Sequence, residues 1–308
     1  MIDHEQLRRA AAILRAGGLV ALPTETVYGL GANALDPAAV ERIFAAKGRP
    51  KQSPIIVHVV SIEMARGLAK EWPDVAQKLA EAFWPGPLTL VVAKNPIVPD
   101  IVTAGLPTVG LRWPAHPVAQ ALIAEAGIPI AAPSANRFTE LSPTSAGHVR
   151  TSLGSSVELI LDGGPCEVGL ESTVVSVAGA PLLLRPGMIS RRDLERVAGV
   201  SFSSAESPVE GAPHRSPGLH LRHYSPRTRV VIAGNTLPDG RGAYLWTRRE
   251  LPGARSVRMP ADPSEFARIL YETFHDLDVL GLDWIAVEPL PESSEWEAIR
   301  DRIARASH

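Results

Sequence analysis

The stretch Leu19-Val-Ala-Leu-Pro-Thr-Glu-Thr-Val-Tyr-Gly-Leu-Gly-Ala-Asn-Ala34 decides how the rest of the chain is read. It begins as an apolar strand, Leu19 to Leu22, and breaks at Pro23 into a run of hydroxyls and one carboxylate. Thr24, Glu25, Thr26 and Tyr28 cannot all be core side chains, and Gly29 and Gly31 let the backbone approach something closely. A strand that delivers polar groups and then glycines opens onto a ligand, or is an ordinary strand-to-helix loop.

Working outward, Leu7, Ala10, Ala11, Ile13 and Leu14 recur at helical spacing and stop at Gly17-Gly18. Asp36-Pro37 starts a helix that carries Val40, Ile43 and Phe44 inward and ends at Lys47-Gly48. Further strands are expected over 55–60, 88–93, 109–113, 128–132 and 157–161, with a hairpin of 173–177 and 182–185. Helices are expected after Ser61 and over 73–83, 118–126, 143–153 and 190–198. Alternating strands and helices predict an α/β protein with an open, twisted, mixed sheet.

Around Ser201 the texture changes. Residues 201–229 are rich in Ser, Pro, Gly, His and Arg and read as a linker. Beyond it, strands over 230–233, 243–246 and 284–287 and helices over 264–277 and 295–306 predict a smaller α/β domain. That domain shows no chemical cluster. The expected division is therefore 1–200, a linker 201–229, and 230–308.

With 308 residues, there is length for two such domains. A hydrophobic content of 45% and charged content of 21% fit a globular chain, and the net charge of −2 gives no field for nucleic acid. The single Cys166 excludes an internal disulfide framework and fits a reducing cytosol. Met1 to Arg9 is charged, so no signal peptide is expected, and no apolar run is long enough to span a membrane.

Lys47-Gly-Arg-Pro-Lys-Gln-Ser53 places three cations and a hydroxyl in seven residues. Positive charge at a helix C-terminus is dipole-favourable in itself. Gly48 and Pro50, however, fix Lys47 and Arg49 in a loop, where they suit the oxygens of phosphate. His58 alternates with apolar neighbours and alone reads as a strand histidine. Pro133-Ser-Ala-Asn136 follows an apolar strand, Ser142, Thr144 and Ser145 precede a helix, and Gly169-Leu-Glu-Ser-Thr173 repeats the arrangement. Each alone could be capping chemistry; four polar clusters at the ends of apolar strands converge on one rim. A P-loop, a Gly-x-Ser-x-Gly elbow and a His-Glu-x-x-His pair are missing. Gly29-x-Gly31-x-x-Ala34 formally matches a dinucleotide fingerprint, but six residues separate it from the strand.

Pro23-Thr-Glu-Thr-Val-Tyr-Gly-Leu-Gly31, Lys47-x-Arg49 and Ser134-x-Asn136 together resemble the YrdC-like domain of threonylcarbamoyl-AMP synthases. Gly163-Gly-Pro-Cys-x-Val-Gly-Leu-Glu-Ser-Thr-Val-Val175 and Arg185-Pro-Gly187 extend the match. Ser216-Pro-Gly-x-x-x-Arg-His-Tyr-x-Pro226 and the small domain after it are similar to the longer, two-domain branch, whose second domain is Rossmann-like.

The resemblance implies synthesis of L-threonylcarbamoyladenylate from L-threonine, bicarbonate and ATP, with release of pyrophosphate. It implies a downstream threonylcarbamoyl transferase that modifies an adenosine beside the tRNA anticodon, with tRNA itself a further candidate partner. Mg2+ on the polyphosphate is also implied. Carried over by motif, Lys47, Arg49, Ser53, Thr108, Ser134, Asn136, Ser142 and Arg185 face ATP, with Lys47 and Arg49 in the catalytic role. Thr26, His58, Arg112, Ala132 and Ser172 face threonine, Arg112 meeting its carboxylate. Glu25 and Glu171 are the acidic residues nearby.

From Gly211 to Arg229 there are four arginines, three histidines and no acidic residue. By charge alone this is a solvated tether; the resemblance makes it a lid that brings His223 and Tyr224 onto the nucleotide. Two other functions stay open. One is an RNA-binding module, against which stand 18 basic and 18 acidic residues in 1–200. The other is a nicotinamide-dependent oxidoreductase built on Gly29-x-Gly31.

Overall fold

A computed structural model describes residues 3–204 and 224–307. The opening stretch is a β-hairpin. Val20–Leu22 pairs antiparallel with Gly29–Asn33, Val20 opposite Gly31, so residues 23–28 form the connection that carries the polar cluster. Treating the two glycines as a loop was therefore wrong. A Cβ on Gly31 would stand 2.9 Å from both Ile130 and Leu22, so its close approach is to neighbouring strands.

Among the described residues the first sheet has ten strands. Their order is Ser203–Ser204, Leu182–Arg185, Thr173–Ser176, Leu88–Ala93, Thr108–Arg112, Val57–His58, Ile130–Ala131, Gly29–Asn33, Val20–Leu22 and Leu159–Ile160. Pairings are mixed, parallel for Leu88–Ala93 with Thr173–Ser176 and antiparallel for Leu88–Ala93 with Thr108–Arg112. Ser203–Ser204 extends this sheet past residue 200.

Alternate residues of the strands serve different clusters, which is the two-residue period of a sheet covered on both faces. Val20, Leu22, Ile130 and Ala132 pack with Leu7, Leu14, Leu122 and Ile123 of helices His4–Arg15 and Pro117–Ala126. Leu19, Ala21 and Ala131 join the larger cluster with Val40, Ile43, Phe44, Leu79 and Ala80 of helices Pro37–Lys47 and Asp74–Phe83. Asp36 caps the first of these with proline next in chain, and Gly48 ends it at φ 62°.

Several expected elements are shorter than their sequence pattern, the strand over 157–161 among them as Leu159–Ile160. Only Val57–His58 of 55–60 is ladder; the Ile55 N–H turns to Val102 O, outside the sheet. Likewise, only Ile130–Ala131 of 128–132 is strand. The helix expected over 143–153 is Ala146–Leu153, capped by Ser145; Pro143 O instead accepts from Tyr28 N–H. That bond ties the segment before the helix to the hairpin.

The second sheet has four parallel strands in the order Arg229–Ile232, Trp284–Val287, Gly242–Trp246, Arg255–Arg258, flanked by helices Pro263–Asp278 and Glu297–Ala306. Arg255–Arg258 was not expected: its Arg-Ser-Val-Arg sequence is mostly exposed at a sheet edge and lacks an apolar signal. The two domains share one core. Val27, Leu141 and Leu170 of the first pack with Leu270, Tyr271 and Phe274 of the second. A Cβ on Gly169 would meet the carbonyl oxygens of Ala267 and Arg268 at 2.6 and 2.5 Å, so glycine lets the rim touch that helix. The second domain thus rests on the rim loops.

Candidate functional site

Those loops line a cavity open to solvent. The hairpin connection supplies its first wall. Thr24 Oγ1 donates to Val27 O at 2.6 Å and lies 2.9 Å from Thr26 Oγ1, holding the connection closed on itself. Arg112, at the end of Thr108–Arg112, reaches across to this wall. Its Nη1 donates to Thr26 Oγ1 at 2.9 Å and its Nη2 to Glu25 Oε1 at 2.7 Å. Both ionic side chains are 5% exposed, so neither charge is answered by solvent, and Glu25 is the anion that permits Arg112 there. Beside them, burial and the Arg112 charge push His58 down to about 3, leaving a neutral imidazole.

The second wall is cationic. Arg49 Nη2 donates to Ser53 Oγ at 2.6 Å and Pro54 O at 3.0 Å, while its buried Nε has no partner among the described residues. Burial lowers the Arg49 guanidinium to about 10. Arg185 Nη2 donates to Ser172 O at 2.9 Å and Ser172 Oγ at 3.1 Å. Ser134 joins this lining and is bridged in antiparallel fashion to Gly29.

The structure therefore brings Thr26, Arg49, His58, Arg112, Ala132, Ser134, Ser172, Arg185 and Tyr224 to one cavity. Lys47, Ser53, Asn136 and Ser142 lie just behind, each bonded to a loop of the lining. Lys47 Nζ donates to Ser134 O at 2.6 Å and to Asn136 O, and burial followed by the Arg49 charge holds its ammonium well below the ordinary lysine value. Asn136 Nδ2 donates to Arg137 O and Glu140 O, both at 2.8 Å, and Ser142 Oγ donates to Glu171 Oε1 at 2.6 Å. The Ala132 N–H donates to Ile56 O. Thr108 is not among the lining residues: it pairs with Ala93 at the opposite end of its strand from Arg112. Four residues of extended chain, about 13 Å, separate the two ends. His223 lies outside the described residues, as does most of the linker, 205–223.

Two contributors were missed, both from the second domain. Arg302 Nε donates to Glu171 Oε2 at 2.7 Å, and Tyr271 OH donates to the same oxygen at 3.2 Å. The available signal was an arginine on the apolar face of its helix, in register with Ala298, Ile299, Ile303 and Ala306. Cys166 is buried, and burial pushes its thiol up to about 12, which removes it as a nucleophile. The dinucleotide reading of Gly29-x-Gly31 fails as well: these glycines lie within a paired strand and open no helix.

A cationic cavity at the rim of a mixed sheet, backed by a second α/β domain, marks an α/β protein whose pocket suits an anionic ligand. The comparisons give the family. The Sua5–YciO–YrdC family model, described as "Telomere recombination", matches residues 12–187, and that of the threonylcarbamoyl-AMP synthase C-terminal domain matches 189–308. The chain belongs to this family, in its two-domain form. It is 40% identical to the threonylcarbamoyl-AMP synthase of Pyrococcus abyssi, over 99% of this chain and 95% of that one. It is 39% identical to the Bacillus subtilis threonylcarbamoyl-AMP synthase, over 99% and 94%. The crystal structure of P. abyssi Sua5 complexed with L-threonine superposes with a TM-score of 0.92 at 38% identity, covering 100% of this chain and 95% of that one.

Proposed function

We propose that the chain makes L-threonylcarbamoyladenylate from L-threonine, bicarbonate and ATP, releasing pyrophosphate, as the activation step of threonylcarbamoyladenosine synthesis on tRNA. The observation that carries this reading is one cavity lined by Arg112 and Thr26 together with Arg49, Arg185 and Ser134. We read Arg112 with Thr26 as the carboxylate site, and Arg49 with Arg185 and Ser134 as the polyphosphate site.

In this reading the threonine carboxylate meets the planar fork of Arg112. The threonine amine takes up CO2 derived from bicarbonate and loses a proton to give a carbamate. A carbamate oxygen then attacks the α-phosphorus of ATP, and the bond to pyrophosphate breaks. Positioning and charge neutralisation suffice for such a step. His58 stays neutral beside Arg112 and adds no positive charge to that site.

Glu25 is engaged by Arg112 and Glu171 by Ser142, Tyr271 and Arg302. These carboxylates do not form a cage for magnesium, so Mg2+ belongs to this proposal as the counter-ion that ATP carries. The product passes to a downstream transferase, and the setting is cytoplasmic. Among the described residues no helix is long and apolar enough to cross a membrane. Full-length similarity to synthases favours this reading over an RNA-binding module.

Incubation with ATP, bicarbonate and labelled threonine tests it. The expected result is pyrophosphate release that requires all three substrates; release indifferent to threonine, or none, would overturn it.

A further inference from the structure

The second domain contributes a charge to the cavity wall. Arg302 sits on its last helix, yet its side chain is 0% exposed. Nε donates to Glu171 Oε2 at 2.7 Å, Nη1 to Asp301 Oδ2 at 2.6 Å and Nη2 to Pro186 O at 3.0 Å. The guanidinium carbon stands 5.2 Å from the centre of the Tyr224 ring. Glu171 and Tyr224 both line the cavity.

The charges facing that cavity decide what the contact does. Arg112 is balanced by Glu25. Among the described residues, Arg49 and Arg185 also line the cavity, and Glu171 is the carboxylate beside them. Glu171 is 6% exposed, and unanswered its charge would repel an incoming polyphosphate. Arg302 answers it from behind, with Tyr271 and Ser142 donating to the same carboxylate. The carboxylate is thereby balanced within the protein.

We infer that Arg302 is a positioning residue for the proposed reaction: it neutralises Glu171 from the second domain and so makes the cavity wall accept the phosphates of ATP. It touches no reacting atom. This inference rests on the synthase reading above and extends it. Burial works against the charge of Arg302, but Glu171 and the other acidic neighbours prevail and keep it firmly protonated.

The test compares the full-length wild type, Arg302→Met and the double variant Glu171→Gln with Arg302→Met. Calorimetry gives the ATP dissociation constant without threonine or bicarbonate, and pyrophosphate release gives the KM of each substrate. Arg302→Met, with a bare carboxylate in the wall, is expected to weaken ATP binding about tenfold or more while threonine KM moves less than about threefold. The double variant carries no stranded charge and is expected to return ATP binding to within about threefold of wild type. A purely structural role would not be rescued by removing the second charge. Unchanged ATP affinity in Arg302→Met, or a folded double variant that still binds ATP weakly, would overturn the inference. Should Arg302→Met fail to fold, Arg302→Gln takes its place against the same double variant and the same tenfold and threefold criteria. A wild type that binds ATP but releases no pyrophosphate would instead count against the synthase reading.

Discussion

The Lys47 ammonium donates to the carbonyl oxygen of Ser134 at 2.6 Å and also to that of Asn136. A cation that the sequence assigns to phosphate is therefore the clamp of a loop that lines the cavity. Lys47→Met would leave two buried carbonyls unpaired at a cost of about 1–3 kcal/mol. The expected outcome is a lower urea midpoint together with a raised KM for ATP. A variant with wild-type stability and altered ATP kinetics would place Lys47 on the nucleotide alone.

Arg112 holds Thr26 and Glu25 with two different nitrogens. Lysine keeps the charge but not the fork, so Arg112→Lys should raise threonine KM about tenfold, with the KM of ATP changed much less. Pyrophosphate release titrated with each substrate measures both. Equal losses for the two substrates would show that Arg112 does not separate them.

Gly31 has no room for a side chain between Ile130, Leu22 and the Val20 carbonyl. Gly31→Val should cost about 1–3 kcal/mol by overpacking. Denaturation should show the loss, while substrate KM values of the folded fraction hold. A change in ATP KM without loss of stability would return Gly31 to the ligand.

His148 of the first domain stacks on His275 of the second at 3.8 Å. His148 Nδ1 accepts from the Thr144 N–H, and His275 Nε2 donates to Ser142 O; Glu140, Asp276 and Asp278 are the acidic neighbours of His275. Burial and His275 hold His148 down to about 4, and burial lowers His275 too. Below the ordinary histidine value of about 6.5 the unfolded chain takes up protons that the folded chain refuses. Stability is thus complete above about pH 6.5 and falls as pH drops toward 4. The thermal midpoint followed from pH 7 to 4.5 should decline, and less steeply in His148→Gln. Identical profiles would remove the pair as the cause.

Cys166 is buried with its thiol pushed up to about 12. Native protein at pH 8 should resist iodoacetamide by mass spectrometry, and Cys166→Ala should keep pyrophosphate release. Rapid native labelling would contradict the burial.

Alternation of apolar residues located most strands and helices, because burial on a sheet or helix face imposes a fixed spacing. It overextended 55–60 and 143–153, where backbone groups bond across the rim to Val102 and Tyr28. It missed Gly29–Asn33 because glycine carries no hydrophobic signal in a strand. In the site, Arg49, Arg112 and Ser134 were legible from their motifs. Thr108, carried over by motif with the ATP set, lies at the other end of the strand from Arg112 and is not among the lining residues.

By itself the sequence determined two α/β units and the polar clusters that end their strands, since local spacing and residue chemistry are written along the chain. Only the tertiary structure decided which clusters meet, that Lys47 serves the loop beneath the cavity, and that Arg302 of the second domain balances Glu171 of the first. Charge balance in a buried wall depends on groups distant in the chain, and no local pattern encodes which of them will be neighbours.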